Sequence, residues 1–246
     1  MKQETLDLLL NLNRDFYEVY AKSFSSSRFS IQPGIRRLLP QILHTQNLLD
    51  LGCGNGNLAK VLLEEGFSGQ YLGIDNSSSL LASAAKSIPE DLRDRFAFQQ
   101  MDLSAQLETL PGKPAYDTIA CFAVIHHFPV DPYLVRFFEF VEKNLVPNGR
   151  FLLSTWQVKN SQRLCDRIQP WSVLGVNHQE LSEDDLLLDW RADPNQPPHY
   201  RYVHHYDAET LKKAGLSTGL KLENEFYSDG KEGDLALYQV WSKPVD

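Results

Sequence analysis

Cysteine, methionine and long apolar runs are scarce in this chain of 246 residues. The three cysteines, Cys53, Cys121 and Cys165, lie far apart and form no C-x-x-C pair, so we expect neither a disulfide framework nor a structural zinc site. No apolar run reaches the roughly 18 residues of a membrane span, and the early Leu8-Leu9-Leu10 run is too short for a secretory signal. These absences predict a protein of the reducing cytoplasm, with no membrane partner.

Positive charge is also limited. Lysine and arginine number 24 against 32 acidic residues, which gives a formal net charge of −8. Because nucleic acid is a polyanion, a chain of this composition needs a local basic patch or a basic partner to bind RNA. Residues 1–46 hold a mild excess of six basic over four acidic side chains. This excess is compatible with RNA binding, and equally with the simpler interpretation of a solvated helical face.

Apolar residues make up 42% of the chain, enough for the core of one α/β domain over residues 1–246. Two helices are expected within an N-terminal helical cap, residues 1–46. Apolar runs then alternate with helix-like stretches, which predicts strands at 47–51, 71–75, 96–100, 116–122 and 150–156. Residues 157–205 break the alternation and are long for a connection, so we expect a substrate-side insertion there. A helix at 208–214 and strands within 216–227 and 235–241 end the chain.

Three glycines follow the first predicted strand, in Asp50-Leu51-Gly52-Cys53-Gly54-Asn55-Gly56. The pattern is neither the G-x-G-x-x-G of dinucleotide binders nor a phosphate loop, since no Gly-Lys-Ser/Thr follows. Glycines let the backbone turn sharply and let a ligand approach, at the strand end where open α/β sheets bind ligands. Asp50 would repel a pyrophosphate, so the motif suits a ligand that carries positive charge.

Acids also follow the next two strands. Asp75 ends the second strand about 20 residues beyond the glycines, where an acid can accept hydrogen bonds from ribose hydroxyls. Its simpler role would be to cap the next helix, which Asn76 or Ser77 could do instead. Asp102 follows the third strand. Because parallel strands end at the same edge, these acids and Asp50 are expected to lie close together.

Adjacent histidines, His126 and His127, follow the fourth strand. Neighbouring residues of a regular element do not face the same side, so one should face the cleft and the other should pack or cap. We expect His127 to face the cleft. No carboxylate or cysteine nearby completes a metal site, and no metal is expected.

The glycine motif resembles the first motif of the class I S-adenosyl-L-methionine (SAM) dependent methyltransferases, D-x-G-C-G-x-G. The resemblance implies a Rossmann-like fold with a mostly parallel seven-stranded sheet, an antiparallel terminal hairpin and helices on both faces. It implies SAM as cofactor and S-adenosyl-L-homocysteine (SAH) as product; the ammonium and sulfonium of SAM agree with the acid at position 50. It also implies that Asp102 contacts the adenine amino group. The residues expected to hold SAM are Arg28, Asp50, Gly52, Cys53, Gly54, Gly56, Asp75, Asn76, Asp102, Leu103 and Phe122.

Further blocks resemble the tRNA wobble-uridine methyltransferases, which esterify a carboxymethyl group on uridine C5. These blocks are Phe16–Tyr20 with Phe24–Phe29, Ala123–Phe128, and Arg201–Tyr206. The last departs from the family's R-Y-Y-H-x-F pattern at Val203 and Tyr206. The resemblance implies tRNA as a partner and, as in eukaryotic members, a small zinc-binding activator subunit.

A carboxylate acceptor is already ionised at neutral pH and needs no general base. On this interpretation Arg201 orients the acceptor carboxylate through a bidentate pair and His204 hydrogen-bonds it. Arg28, or a residue near Tyr20, holds the SAM carboxylate. If the acceptor is a hydroxyl, His127 becomes the candidate base. The predicted catalytic residues are therefore Arg201, His204 and His127.

Two other functions stay open. One is a small-molecule O- or N-methyltransferase, with an apolar pocket from Trp156, Trp171 and Trp190. The other is a non-catalytic SAM-binding subunit that scaffolds a partner. An RNA enzyme would need its basic residues on the face of the SAM pocket, namely Arg28, Arg36, Arg37 and Arg201.

Overall fold

The structure, a computed structural model, describes residues 1–27, 30–107, 116–190 and 198–245, with residues 20–27 and 130–132 described by their backbone alone. The helices are α1 (Gln3–Ser27), α2 (Pro33–Leu43), α3 (Asn57–Glu64), α4 (Ser78–Lys86), α5 (Val130–Asn144), α6 (Gln162–Cys165) and α7 (Ala208–Ser217). The strands are β1 (Asn47–Leu51), β2 (Gln70–Asp75), β3 (Phe96–Gln100), β4 (Tyr116–Phe122), β5 (Leu145–Trp156), β6 (Ile168–Gln169), β7 (Asp185–Trp190), β8 (His199–His204), β9 (Lys221–Ser228) and β10 (Ala236–Ser242).

The main sheet has, within the described residues, seven strands in the order β3-β2-β1-β4-β5-β10-β9. The first five strands of the chain pair in parallel, and β10 pairs antiparallel with both β5 and β9. The predicted fold class, a mostly parallel sheet with an antiparallel terminal pair, is confirmed. The strand expected from residue 150 begins earlier, at Leu145, and passes through Asn148, whose backbone is left-handed at φ 62°.

Hydrophobic cores cover both faces of the sheet, as strands buried on both sides require. On one face, β4 and β5 pack against α5 and α7 through residues such as Ile119, Phe137 and Trp241. On the other, β1 packs against α2 and α3 through residues such as Leu48 and Leu62. No described helix combines the length and the apolar character that crossing a bilayer requires.

The segment at 157–205 forms, in its described part, an antiparallel sheet in the order β6-β7-β8. Its own small core includes Leu186, Leu188 and Val203. Helix α1 lies along β8, and the side chain of Asn13 takes the place of a neighbouring strand: its Oδ1 accepts a hydrogen bond from the Tyr202 N–H at 2.9 Å. The insertion therefore positions α1, which in turn forms a wall of the site described next.

Candidate active site

A cavity of about 490 Å³ lies at the carboxyl ends of the parallel strands, with α1 across it. Residues at the ends of β1, β2 and β4 and in the segment after β3 line one side. Residues of α1 line the other side, namely Leu10, Asn13, Arg14, Asp15, Tyr17 and Glu18. Crevices at this edge of open α/β sheets are where such folds bind ligands.

The glycine turn forms the floor of the cavity. Gly52, Gly54 and Gly56 have φ values of 74°, 55° and 75°, which disfavour other residue types. A Cβ on Gly52 would lie 2.2 Å from Val124 Cγ2, whereas a Cβ on Gly54 would meet no described atom within 4 Å. Because Gly54 also lines the cavity, it is the point at which a ligand can approach the backbone most closely.

Asp50 is buried beneath this turn. Burial raises the pKa of Asp50 to about 7, with the nearby Asp75 adding to the rise, while a hydrogen bond donated by the Tyr71 hydroxyl at 2.6 Å opposes it. A cationic ligand close to Asp50 would favour its ionised form and so lower this pKa.

Asp75 and Asp102 stand at the next strand ends. Burial raises the pKa of Asp75, although its oxygens accept hydrogen bonds from the backbone N–H groups of Ser77 and Gly54, both at 2.9 Å. For Asp102, burial also acts to raise the pKa, but hydrogen bonds from Ser104 and an ion pair with Arg14 at 2.5 Å outweigh it, and the pKa is lowered.

The cavity brings together most of the residues predicted to hold the cofactor. Those that line it are Asp50, Gly52, Cys53, Gly54, Asp75, Asn76, Asp102, Leu103 and Phe122. Gly56 is absent from the described lining and instead lets α3 approach α4, since a Cβ there would lie 2.9 Å from the Ala84 Cβ. Arg28 falls outside the described residues. The individual roles of all these residues stay predictions.

The side chains of the two adjacent histidines have different surroundings, as expected for neighbouring residues. His127 lines the cavity, with Nε2 2.7 Å from the Tyr17 hydroxyl and Nδ1 3.1 Å from the Tyr202 carbonyl oxygen. His126 is fully buried and stacks on Trp156 with ring centroids 4.8 Å apart, and its Nδ1 accepts a hydrogen bond from the backbone N–H of Trp156. The possible role of His127 as a base stays a prediction.

Arg201 and His204 do not join this cavity. Arg201 is 4% exposed, and its guanidinium lies over three rings, 4.6 Å from the centroid of Trp156, 5.3 Å from that of Phe16 and 5.6 Å from that of Trp190. The His204 Nδ1 is 2.8 Å from Asp185 Oδ1, within the second sheet. Both residues are buried and neither belongs to the described lining of the cavity. Their catalytic roles stay predictions.

The tryptophans and surface arginines that were expected to distinguish a small-molecule enzyme from an RNA enzyme do not line the described cavity. Trp156 and Trp190 pack on Arg201, and Trp171 donates its indole N–H to the Asp185 carbonyl, so the tryptophans do not form the apolar pocket suggested for a small acceptor. Arg36 and Arg37 are exposed on α2, where Arg37 lies 4.1 Å from the ring centroid of Phe226.

The contribution of α1 to the cavity was missed in the sequence. Arg14 pairs with Asp102, and Glu18 accepts hydrogen bonds from the hydroxyls of Ser77 and Ser79 at 3.1 and 3.0 Å. The i, i+4 spacing of Asn13 with Tyr17 and of Arg14 with Glu18 places these polar residues on one helical face. That spacing was a usable signal, but it is also typical of a solvated face.

Comparison with known proteins agrees with this geometry. A family described as a methyltransferase domain matches residues 26–225. The chain is 24% identical over 206 residues to the tRNA (carboxymethyluridine(34)-5-O)-methyltransferase of Arabidopsis thaliana, a match to 82% of this chain and 45% of that protein. It is 46% identical over 54 residues to the trans-aconitate 2-methyltransferase of Acidovorax sp. (strain JS42), 21% of each chain. These matches span less than half of the relatives' own lengths.

A solved glycopeptide N-methyltransferase in complex with SAM has the same fold, with a TM-score of 0.61 and 19% identity over 88% of this chain and 96% of that one. The chain belongs to the methyltransferase domain family. Its fold is that of the class I methyltransferases, and SAM stays the predicted cofactor. The open space beside Gly54 and the acids at successive strand ends fit a cofactor that carries an ammonium, a sulfonium and a ribose.

Proposed function

We propose that this protein transfers the methyl group of SAM to a carboxylate oxygen, and that the acceptor is the carboxymethyl group of a tRNA wobble uridine. Bound SAM supplies an electrophilic methyl group on a sulfonium. The chain aligns an acceptor with that methyl group, and positioning alone can remove a large part of the activation barrier of such reactions.

The observation that carries the carboxylate part is the engagement of His127 on both ring nitrogens, by Tyr17 and by the Tyr202 carbonyl. A hydroxyl acceptor would need His127 or a group acting through it to remove a proton. A carboxylate has no proton to lose, so it is compatible with a histidine whose nitrogens already have partners.

Two comparisons support an acid as acceptor. The Arabidopsis thaliana relative, whose match covers 82% of this chain, methylates, by its name, a carboxymethyluridine in tRNA, and the Acidovorax relative methylates, by its name, trans-aconitate. The first match runs through 82% of the chain, which favours the tRNA acceptor.

A second candidate is a small carboxylic acid. It is favoured by the burial of Arg201, because this residue is then not available as part of a basic surface beside the cavity. A small acceptor would need no such surface.

The test is incubation with SAM labelled on the methyl group, offered separately to tRNA and to a pool of small metabolites. The tRNA is first treated with mild alkali, which hydrolyses existing methyl esters back to carboxylates. After the reaction, a second mild alkaline step releases labelled methanol from new esters but leaves N-methyl and ether-methyl groups intact. Asp75→Ala serves as the cofactor-deficient control and the exposed Asp91→Ala as its matched surface substitution.

Alkali-labile label in tRNA is the expected result. Alkali-labile label in small acids alone would overturn the tRNA acceptor and retain the carboxylate chemistry. Alkali-stable label would overturn the carboxylate chemistry itself. If no pool accepts label while SAM still binds, the chain is better explained as a SAM-binding scaffold.

A further inference from the structure

A row of side chains crosses the main sheet on the face that α2 covers. It begins at Phe122, which lines the cavity, and the strand register places Ser154 of β5, Tyr238 of β10 and Phe226 of β9 beside it in turn. The Tyr238 ring is stacked on Phe226, with centroids 5.1 Å apart, and its centroid lies 6.3 Å from that of Phe122. The row therefore leads from the cavity into the interior of the protein.

Tyr238 and Asp229 hold the start of α2. The Asp229 carboxylate accepts hydrogen bonds from the Tyr238 hydroxyl at 2.6 Å and from the Gly34 N–H at 2.9 Å. The side chain of Gln32, which precedes the helix, makes no capping hydrogen bond within the described part of the chain, so Asp229 supplies an acceptor at the positive end of α2. A Cβ on Gly34 would lie 2.2 Å from Tyr238 Cε2, so glycine lets α2 start directly against this ring.

The Tyr238 oxygen also joins Asp229 to β5. Burial and the bond to Asp229 raise the pKa of Tyr238, while hydrogen bonds from the Ser154 hydroxyl and the Ile35 N–H act in the opposite direction. Tyr238 therefore keeps its proton and donates it to Asp229, and Ser154 donates to Tyr238. Ser154 Oγ in turn accepts a hydrogen bond from the Ala123 N–H at 3.0 Å. Each donor in this chain points toward the Asp229 carboxylate, an arrangement in which hydrogen bonds strengthen one another.

Ala123 is a strained residue at the cavity. Its φ of 58° is left-handed, which is unusual for a residue with a Cβ. The Ala123 N–H is held by both the carbonyl oxygen and Oγ of Ser154, at 3.1 and 3.0 Å. Ala123 begins the segment after β4, of which Ala123, Val124, His127 and Phe128 line the cavity. The bonds to Ser154 therefore help to set the direction in which this segment leaves the sheet.

We propose that Ser154, Tyr238 and Asp229 are positioning residues, which fix the segment after β4 relative to the start of α2 and so align the methyl acceptor with the cofactor. None of the three belongs to the described lining of the cavity, and all three are buried. The network reaches the cavity at both of its ends, through Ala123 and through Ile35. The proposal rests on methyl transfer, the proposed function, but not on the identity of the acceptor.

Cofactor binding should depend little on this network. The glycine turn follows β1, Asp75 ends β2 and Asp102 follows β3, whereas the network joins β5, β10, the end of β9 and α2. A loosened network should therefore lower the rate of methyl transfer more than the affinity for SAH, because an in-line displacement is sensitive to small misalignments of the acceptor.

The alignment is tested with Tyr238→Phe, which keeps the ring on Phe226 and removes the hydroxyl between Ser154 and Asp229. At a temperature where every variant is folded by circular dichroism, kcat with the pool that accepts label should fall about tenfold or more. SAH affinity by calorimetry should stay within about threefold. A loss of SAH affinity that matches the loss of kcat would indicate general damage to the cavity and would overturn the proposal.

Thr118→Val is the matched control for the loss of one buried hydroxyl. Thr118 is 3% exposed on β4, its Oγ1 lies 2.7 Å from that of Thr45, and it is absent from the described lining of the cavity. This variant should lose stability and keep kcat. If Thr118→Val lowers kcat as much as Tyr238→Phe does, the loss of kcat reports stability alone and the proposal is wrong.

Two further comparisons test whether the three residues act together. Asp229→Asn keeps one acceptor oxygen and should retain more of kcat than Asp229→Ala. Ser154→Ala and Asp229→Asn should lower kcat less than additively when combined, because both act through Tyr238. Fully additive effects would show that the residues act separately and would overturn the network.

Hydrogen exchange in SAH-bound protein, followed by nuclear magnetic resonance, gives a readout that needs no acceptor. Tyr238→Phe should speed exchange about tenfold or more at the amides of both Ala123 and Gly34, which lie at opposite ends of the network, and Thr118→Val should leave both nearly unchanged. If no pool accepts label, the proposed function fails while faster exchange at both amides still supports the network. Unchanged exchange at Ala123, or a Tyr238→Phe protein with unchanged kcat, would overturn the proposal.

Discussion

Gly54 is the most direct structural probe of the cofactor site. Its φ of 55° is left-handed, a conformation that costs a residue with a Cβ about 1–2 kcal/mol. Gly66, which follows α3, provides a matched control because its φ is 78° and a Cβ there also meets no described atom within 4 Å. The two positions share the backbone strain and the open space, but only Gly54 lines the cavity.

We therefore expect Gly54→Ala and Gly66→Ala to lose similar stability in chemical denaturation, about 1–2 kcal/mol each. Gly54→Ala alone should weaken SAH binding, on the order of 100-fold, because the methyl group occupies space that the cofactor needs; such a loss corresponds to about 2.7 kcal/mol. Calorimetric titration of both proteins with SAH measures it. Equal SAH affinity in the two variants would refute the assignment of the open space at Gly54 to the cofactor.

Three further predictions concern buried polar groups. Burial raises the pKa of Asp50 from 3.8 to about 7, so its contribution to stability is full below about pH 4 and is lost as pH rises through 7. Asp50→Asn should remove this fall in the free energy of unfolding, measured by denaturation between pH 4 and 8. An unchanged pH dependence would contradict the prediction. Asp229→Ala should lower the free energy of unfolding by about 2–4 kcal/mol in the same assay. Asp229 accepts hydrogen bonds from the Tyr238 hydroxyl at 2.6 Å and from the Gly34 N–H at 2.9 Å, and Tyr238 is buried. Asp229→Asn keeps an acceptor oxygen and should cost less. Arg201→Ala should lower the free energy of unfolding by about 3 kcal/mol, since it empties a site enclosed by three aromatic rings. A variant of unchanged stability that fails only in turnover would instead support a direct role of Arg201 with the acceptor.

Much of the fold was predictable because the main sheet is built from local signals. Each central strand is a short apolar run followed by a polar turn, and the glycine motif marks the first strand end. The bounds at 47–51, 96–100 and 116–122 match the structure. The start of β5 was less clear, since Pro147-Asn148-Gly149 indicates a turn, yet neighbouring strands hold this segment in the sheet through Asn148 in a left-handed conformation.

The cofactor side of the site was likewise accessible from sequence. Asp50 and Asp75 lie at the ends of β1 and β2, Asp102 follows β3, and parallel strands end at one edge. The contacts of α1 at the cavity were not predictable, because they join distant segments of the chain. Tyr17, His127 and Tyr202 are brought together by the packing of α1 between the main sheet and the insertion, and no local pattern specifies that packing.

The same packing explains how an insertion that lines none of the described cavity can still affect the choice of acceptor. Thr5, near the start of α1, donates to Glu180 of the insertion, and Asn13 joins Tyr202 to the segment that carries His127. An anionic acceptor would be attracted by the sulfonium of SAM but opposed by the cavity acids, and the cation Arg14 is already paired with Asp102. Because the Tyr202 carbonyl oxygen lies 3.1 Å from His127 Nδ1, the insertion helps to orient a ring that lines the cavity.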